Sequence, residues 1–114
     1  MAEDRVPGPG DVVWLRFDPQ AGHEQAGRRP AVVLSPSAYN LKTGMMLCCP
    51  ITGQIKKYPF EVLIRDNANV RGVILADQIK SLDWRARKAR HKGRVSDEDL
   101  AETLGKIGAL LGIR

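Results

Sequence analysis

The residues with the clearest chemical potential lie where a polar loop runs into an apolar segment. The letters EQAGRRP of residues 24–30 are followed directly by AVVL at residues 31–34, a run typical of a buried strand. Pro30 disfavours the helical region for Arg29 and keeps it extended, and proline is tolerated where a strand begins. Arg29 is therefore expected at the entry of a fixed strand. A guanidinium group that is held in this way and always charged suits the binding of a phosphate group.

Three further segments share their order and spacing with one protein family. They are GDVVW at residues 10–14, CPIT at residues 49–52 and ADQIKS at residues 76–81. Together with EQAGRRP they resemble the MazF/PemK family of toxin endoribonucleases, over a span from about Val6 to Leu111. The resemblance implies a toxin of a type II toxin–antitoxin system. Such a toxin cuts messenger RNA at specific sequences, uses no metal or other cofactor, and leaves a 2′,3′-cyclic phosphate and a 5′-hydroxyl.

The same resemblance implies which side chains carry out the cleavage. Arg29 and Thr52 match the family's central pair, and Glu24 is the candidate proton acceptor or substrate-positioning group. Cleavage without metal requires attack of the ribose 2′-hydroxyl on the adjacent phosphorus, with donors that stabilise charge on the phosphoryl oxygens. Thr52 would donate a hydrogen bond to such an oxygen. Because arginine stays protonated in proteins, Arg29 is expected to act as an electrostatic clamp and proton donor rather than as a sole base.

Each of these assignments has a structural alternative. Arg29 could hold the loop through a salt bridge, for example to Glu24, and Thr52 could cap a turn with its hydroxyl. One departure from the family pattern is Gly53, which stands where family members frequently carry another small hydroxyl residue.

Substrate binding is expected around this central pair. The resemblance assigns it to Gln25, Arg28, Lys56, Asp77, Gln78 and Lys80. Gln78 would read the edge of a base and Asp77 would anchor the backbone, although both could instead satisfy a buried turn. Single-stranded RNA is the expected substrate, because only its bases are open to such reading. The loops at residues 19–28 and 52–58 would set the sequence that is recognised.

The remaining pattern predicts one mainly β domain over residues 1–114, with residues 1–9 as a short arm. Strand-like segments fall at residues 12–17, 31–34, 45–50, 60–64, 72–76 and 79–82, and a helical turn at residues 37–41. The basic stretch at residues 87–95 reads as an edge strand or loop. The family resemblance implies an α+β fold, a small SH3-like, partly open β-barrel with a C-terminal helix.

The C-terminal helix has its own signals. Ser96 is a favourable N-cap, and the three acidic residues that follow it suit the positive end of a helix. Leu100, Leu104, Ile107 and Leu111 recur at helical spacing and predict a single apolar stripe, which could belong to the core or to an interface.

The chain is basic, with a net charge of +5 and a pI near 9.6. Six of the ten residues from 85 to 94 are cationic, namely Arg85, Arg87, Lys88, Arg90, Lys92 and Arg94. They could form a surface for a polyanion or an acidic partner, or a solvated strand edge that resists aggregation. No apolar run approaches the ~18 residues of a membrane span, and no signal-like stretch follows the acidic start. A cytoplasmic protein without membrane contact is expected.

Two other residue types were candidates for chemistry. Cys48 and Cys49 are adjacent, so a strand would point their side chains to opposite faces, and both are expected to be small buried residues. Their spacing fits neither a zinc site nor a disulfide framework. His23 and His91 both fall in polar, exposed-looking stretches, and a paired acid–base role for them is disfavoured because most of the chain separates them.

The resemblance also implies partners. The protein is expected to form a homodimer and to bind a cognate acidic, MazE-like antitoxin that is partly disordered until it covers the basic surface and active site. Two other functions share the fold or the charge. One is a CcdB-like gyrase inhibitor, since fold alone does not fix the target. The other is an RNA-binding module without catalysis.

Overall fold

The computed structural model describes residues 5–17, 27–65, 67 and 69–113. Within that part the chain forms seven strands and two helices. In chain order these are β1 (Asp11–Phe17), β2 (Gly27–Val33), α1 (Ser37–Thr43), β3 (Met45–Thr52), β4 (Glu61–Leu63), β5 (Val73–Leu75), β6 (Lys80–Asp83), β7 (Arg90–Arg94) and α2 (Asp97–Leu111). The predicted mainly β fold with a C-terminal helix is confirmed. None of the helices in these ranges is long and apolar enough to cross a membrane.

The strands form an antiparallel sheet with β3 at its centre. The order is β4-β5-β3-β2-β1-β7, and β6 also pairs with β3. Strand β6 pairs with residues 45–48 of β3, whereas β5 pairs with Ile51 and Thr52 at the end of that strand. Strand β3 therefore pairs with β6 along its first half and with β5 at its end. Strand β7 pairs with β1 in the described sheet, which confirms an edge strand within the basic stretch.

The alternation of side chains along the strands produces two cores. Val12, Val32 and Cys49 lie on the face that α2 covers through Ile107. Val13, Val33 and Cys48 lie on the other face, where Trp84 packs against them. The two cysteines thus point to opposite faces as predicted, and both are free and buried.

Strand β2 begins earlier than the sequence predicts. It starts at Gly27 rather than Ala31, so that Arg29 lies within the strand and pairs with Leu15 of β1. Pro30 is tolerated in mid-strand because the pairing of β2 with β3 starts only at Ala31. Pairing with β1, down to Phe17 opposite Gly27, extends the strand beyond its apolar run.

Helix α2 has the predicted cap, and its apolar stripe is only partly buried in the single chain. The Asp99 N–H donates to Ser96 Oγ at 3.0 Å. However, Leu104 is 44% exposed and Leu111 is 63% exposed, whereas Asp99 and Thr103 are fully buried. The burial of Asp99 is explained by its carboxylate, which accepts hydrogen bonds from the backbone N–H of Arg65 at 3.0 Å and from its guanidinium at 3.2 Å. The helix therefore turns a partly polar face toward the sheet.

The N-terminal arm is packed where it is described. The Pro7 carbonyl accepts a hydrogen bond from Asn40 Nδ2 at 2.8 Å, and the Pro9 carbonyl accepts one from Arg94 at 2.6 Å. Asn40 itself is buried in α1, which is a complete short helix where the sequence predicted a single turn. These contacts fix the start of β1 against the sheet.

Candidate active site

The register between β2 and β3 brings the two central residues together. Val33 is opposite Cys48, and Ala31 is opposite Pro50. Continued by two residues, this antiparallel register places Arg29 across from Thr52, and both then share the face of Ala31 and Pro50 because side chains alternate with a period of two. The paired segment that ends at Ala31 and Pro50 thereby directs Arg29 and Thr52, which are 23 positions apart in the sequence, toward the same side of the sheet.

Arg29 and Thr52 line one cleft of about 620 Å³. Strand β2 contributes Arg28 as well as Arg29, and the segment after β5 contributes Gln78. Lys80 enters from β6, where it is paired with Cys48. Four of the predicted site residues other than Thr52 therefore meet here, together with Arg71, which the sequence analysis did not select.

The cleft is cationic. Its charged lining consists of Arg28, Arg29, Arg71 and Lys80, and no carboxylate among the described residues borders it. A concave surface lined by one sign of charge attracts ligands of the opposite sign. Arginine forks are also suited to the paired oxygens of a phosphate. The lining therefore fits a phosphodiester.

Thr52 is half-buried at the end of β3, and its hydroxyl oxygen accepts a hydrogen bond from the Gln54 N–H at 3.2 Å. The turn-capping interaction that the sequence allowed is thus present. It uses a lone pair of the hydroxyl and not its proton. The same contact orients the oxygen and is compatible with donation to a phosphoryl oxygen.

A second cleft of about 600 Å³ adjoins the first and shares Thr52, Leu75 and Gln78 with it. Lys56 and Asp77 line this second cleft rather than the first. Its charged groups are mixed, because two lysines and two carboxylates border it. The full charged and aromatic lining is Lys56, Lys57, Tyr58, Glu61 and Asp77.

The second cleft has ordered polar contacts. The Tyr58 hydroxyl donates to Asp77 Oδ2 at 2.8 Å, and this hydrogen bond, with the negative charge of Asp77, raises the pKa of Tyr58. The Glu61 carboxylate accepts from the backbone N–H groups of Lys56 and Lys57, at 3.1 Å and 3.0 Å for its nearer oxygens. These bonds tie the 52–58 loop to the start of β4.

The geometry around Asp77 differs from the sequence prediction. Asp77 bonds the Tyr58 side chain, whereas a backbone anchor was expected. Asp77 and Gln78 are both exposed, so neither is a buried polar group of a turn. The turn is instead formed by the Gln78 N–H, which donates to the Leu75 carbonyl at 3.1 Å.

Two predicted site residues, Glu24 and Gln25, lie outside the described residues, as does His23. The proposed Glu24–Arg29 salt bridge therefore stays a prediction. Arg29 does make an interaction in the structure, so it is not a free side chain.

Arg71 and Tyr58 are two of the cleft residues that sequence reasoning missed. Arg71 follows a turn signal at residues 66–69 and carries no motif of its own. Its position beside Thr52 results from the pairing of β5 with β3, which the local sequence does not reveal. For Tyr58, the available signal was an aromatic residue within a loop already assigned to substrate recognition.

The basic cluster at residues 85–94 lies elsewhere. None of its six cations lines either cleft, and Arg85, Lys88 and Arg90 border a separate groove beside Trp84. Several members have structural contacts. Lys92 lies 4.7 Å from the centre of the Trp14 ring, and the Arg94 guanidinium bonds the Pro9 carbonyl. A polyanion surface at this cluster stays a prediction.

His91 is partly buried, not exposed as expected. Its Nε2 lies 3.7 Å from Asp11 Oδ1 and makes no hydrogen bond within the part of the chain that is described. It lies on β7 opposite Val13 and does not border the cleft of Arg29. Across residues 5–17, 27–65, 67 and 69–113, no group of three or more histidine, cysteine or acidic residues could hold a metal ion.

Comparison with known proteins gives a consistent result. Residues 8–111 match the family described as PemK-like, MazF-like toxin of type II toxin–antitoxin system. The chain is 54% identical over 112 residues to the endoribonuclease toxin MazF of Escherichia coli K12, covering 98% of this chain and 100% of that protein. It is 41% identical over 107 residues to the endoribonuclease toxin ChpB of the same strain, covering 90% and 91% of the two chains.

Solved structures agree with this result. A crystal structure of MazE–MazF from Deinococcus radiodurans superimposes with a TM-score of 0.91 at 55% identity, over 97% of this chain and 100% of that chain. A crystal structure of MazF from the same organism gives a TM-score of 0.85 at 55% identity, over 96% and 100% of the two chains.

Proposed function

The chain belongs to the PemK-like, MazF-like toxins of type II toxin–antitoxin systems and is an endoribonuclease, and we propose that it cuts single-stranded messenger RNA at a short sequence motif without a metal ion. The observation that carries the proposal is that Arg29 and Thr52 line the same cationic cleft, which suits a phosphodiester. Its place of action is the cytoplasm, where messenger RNA is found.

In the proposed reaction the ribose 2′-hydroxyl attacks the adjacent phosphorus and the bond to the 5′-oxygen breaks. The products are a 2′,3′-cyclic phosphate and a 5′-hydroxyl. The Arg29 guanidinium binds the non-bridging oxygens and donates toward the leaving oxygen, while the Thr52 hydroxyl donates to a phosphoryl oxygen. Glu24 is proposed to accept the 2′-proton or to position the ribose.

The substrate-binding residues divide between the two clefts. Arg28 and Lys80 are proposed to bind phosphates in the cationic cleft. Gln78 lies between the clefts and is proposed to read a base edge, since amides pair with base edges through both a donor and an acceptor. Lys56 and Asp77 would hold that base in the second cleft, and Gln25 would contact RNA from the loop before β2.

We further propose a homodimer and an acidic antitoxin as protein partners. Two of the crystal structures from Deinococcus radiodurans are of MazE–MazF. The cationic cleft of this chain suits an acidic segment, and such a segment would exclude RNA by occupying the same groove.

The test is digestion of a long single-stranded RNA by purified, antitoxin-free protein in EDTA, followed by mapping of the 5′ ends. We expect discrete cuts that share a short motif. Thr52→Val, which keeps the side-chain shape and removes the hydroxyl, should lower the rate by about 10²-fold or more. Thr52→Ser, which keeps the hydroxyl, is the matched control and should retain most of the activity.

Other outcomes are distinguishable. Intact RNA with folded wild-type protein would contradict the proposal and favour gyrase inhibition or RNA binding without cleavage. Cuts that need added metal would contradict the metal-independent mechanism. Equal rates for Thr52→Val and the wild type would remove Thr52 from the reaction.

A further inference from the structure

Arg71 lies in the connection between β4 and β5, two residues before the strand that pairs with Thr52. Its neighbour two residues on, Val73, is the Cα partner of Thr52. Strands β2 and β5 flank β3 on its opposite edges. Arg29 and Arg71 therefore reach the cleft from opposite sides of Thr52, from backbones about two strand spacings, or ~10 Å, apart.

Gly72 fixes this approach. It adopts a φ of +118°, and a Cβ built on it would lie 2.2 Å from the Thr52 carbonyl oxygen. The backbone at residue 72 thus touches the backbone at residue 52. The next residue back is Arg71, so its position relative to Thr52 is set by a backbone contact and not by a mobile loop.

The Arg71 guanidinium is available for a ligand. Two other exposed arginines are used structurally: Arg65 pairs with Asp99 and Glu102, and Arg94 bonds the Pro9 carbonyl. Within residues 5–17, 27–65, 67 and 69–113, the Arg71 side chain makes no hydrogen bond or ion pair of this kind, yet it borders the cationic cleft. An arginine directed into a cleft without a protein partner is suited to an anionic ligand.

We propose that Arg71 binds an RNA phosphate next to the one that is attacked, and so positions the substrate without acting on the reacting atoms. The inference rests on the proposed ribonuclease function, in which Arg29 and Thr52 serve the attacked phosphate. A continuous RNA strand carries a phosphate at each nucleotide, and the cleft of about 620 Å³ has cations on both sides of Thr52. Arg71 would hold the strand across β3, on the side opposite Arg29.

The first test compares Arg71→Gln with Lys42→Gln, a matched loss of one positive charge on α1 outside both clefts. On an oligonucleotide that contains the mapped cleavage motif, Arg71→Gln should raise KM about tenfold and leave kcat within about twofold. Loss of one phosphate contact should also reduce the slope of log(kcat/KM) against log[salt] by about 0.7. Arg71→Lys, which keeps the charge, should restore most of that slope.

The second test identifies the phosphate. Each phosphate that flanks the cut is replaced in turn by a neutral methylphosphonate, in an oligonucleotide made uncleavable by a 2′-deoxyribose at the cleavage site. At one flanking position the replacement should weaken wild-type binding several-fold but leave the binding of Arg71→Gln unchanged, because the two changes remove the same contact.

Each result has one interpretation. The inference would be overturned if methylphosphonate replacement weakened binding equally for the wild type and Arg71→Gln at every flanking position. It would also be overturned if the KM and salt slope of Arg71→Gln matched those of Lys42→Gln. A fall in kcat with unchanged KM would also overturn it, because Arg71 would then act at the attacked phosphate. If the wild-type protein does not cleave RNA, the proposed function fails, whereas wild-type cleavage with a silent Arg71 refutes only this inference.

Discussion

Cys48 lines the same cleft as Arg29 and Thr52, so a reactive thiol at this position would be a candidate nucleophile. It borders the cationic cleft and lies opposite Lys80 in the pairing of β3 with β6. Burial nevertheless raises its pKa to about 11, despite the opposing effects of Lys80 and Arg87. For Cys49, burial first and then Cys48 and Asp77 raise the pKa to about 12. Both thiols therefore stay protonated near neutrality and contribute packing.

At the residue scale we predict that neither cysteine of the folded protein reacts with iodoacetamide at pH 8, and that both react in urea. The thiolate is the reactive species, and folding favours the thiol. Because each pKa is raised from 9.0, this contribution to stability is complete below pH 9 and is lost as the pH rises toward about 11 for Cys48 and about 12 for Cys49. Mass spectrometry of labelled protein measures the first effect, and thermal unfolding from pH 8 to 11 measures the second.

The control for this prediction is the double variant Cys48→Ala/Cys49→Ala, whose melting temperature should fall less over the same alkaline range. Fast labelling of the native wild-type protein, at a rate independent of unfolding, would show that a thiolate is accessible and would contradict the assignment of both residues to the core.

At the scale of elements, the contact between the β4–β5 connection and the end of β3 controls the site. Gly72→Ala should force the two backbones apart, because the new Cβ would meet the Thr52 carbonyl oxygen and the positive φ disfavours a side chain. We expect a loss of about 1–3 kcal/mol in the free energy of unfolding. Cleavage should fall at least about tenfold, because displacing the reactive geometry by ~1 Å can cost that much or more.

Gly105→Ala provides the matched control. A Cβ at Gly105 meets no atom within 4 Å, and alanine favours a helix interior, so this variant should be neutral or gain up to about 1 kcal/mol. Chemical denaturation and cleavage assays measure both variants. Wild-type stability and rate for Gly72→Ala would show that the close approach is not needed to position Thr52.

The same elements show which features a sequence can predict. The Ser96 cap and the opposite faces of Cys48 and Cys49 follow from neighbours within a few residues, and both predictions are confirmed. The burial of Asp99 depends on Arg65, which lies 34 residues earlier. No local pattern distinguishes such a carboxylate from a solvated one in the first turn of a helix, so the sequence did not show which face of α2 is buried.

The active site follows the same rule. Arg29, Thr52, Gln78 and Lys80 stand in motifs that the sequence displays, and the sheet brings them to one cleft. Arg71 joins them only through the register of β5 against β3. A side chain without a motif becomes a site residue when a long-range strand pairing places it there, and that pairing is the part of the fold that periodicity does not encode.

At the scale of the whole molecule, positive charge is divided between two separate surfaces. The cleft of Arg28, Arg29, Arg71 and Lys80 has no described carboxylate in its lining. In the basic cluster at residues 85–94, by contrast, Arg94 lies near Asp11 and Asp97 and Lys92 covers the Trp14 ring. The net charge of +5 is therefore not one uniform RNA surface, and the salt dependence of cleavage should follow the cleft more than the cluster.

The apolar stripe of α2 that the single chain leaves exposed indicates where the proposed homodimer forms. Leu104 and Leu111 share a helix face, and Leu110 and Ile113 extend the apolar surface at the C-terminal end, where Ile113 is 62% exposed. Leu111→Glu should therefore shift the protein from dimer to monomer, because a buried charge without a partner disfavours association. Leu41→Glu, at a residue 54% exposed on α1, is the matched control and should remain dimeric. Light scattering across a concentration series measures both variants, and a dimer of unchanged affinity for Leu111→Glu would place the interface on another surface.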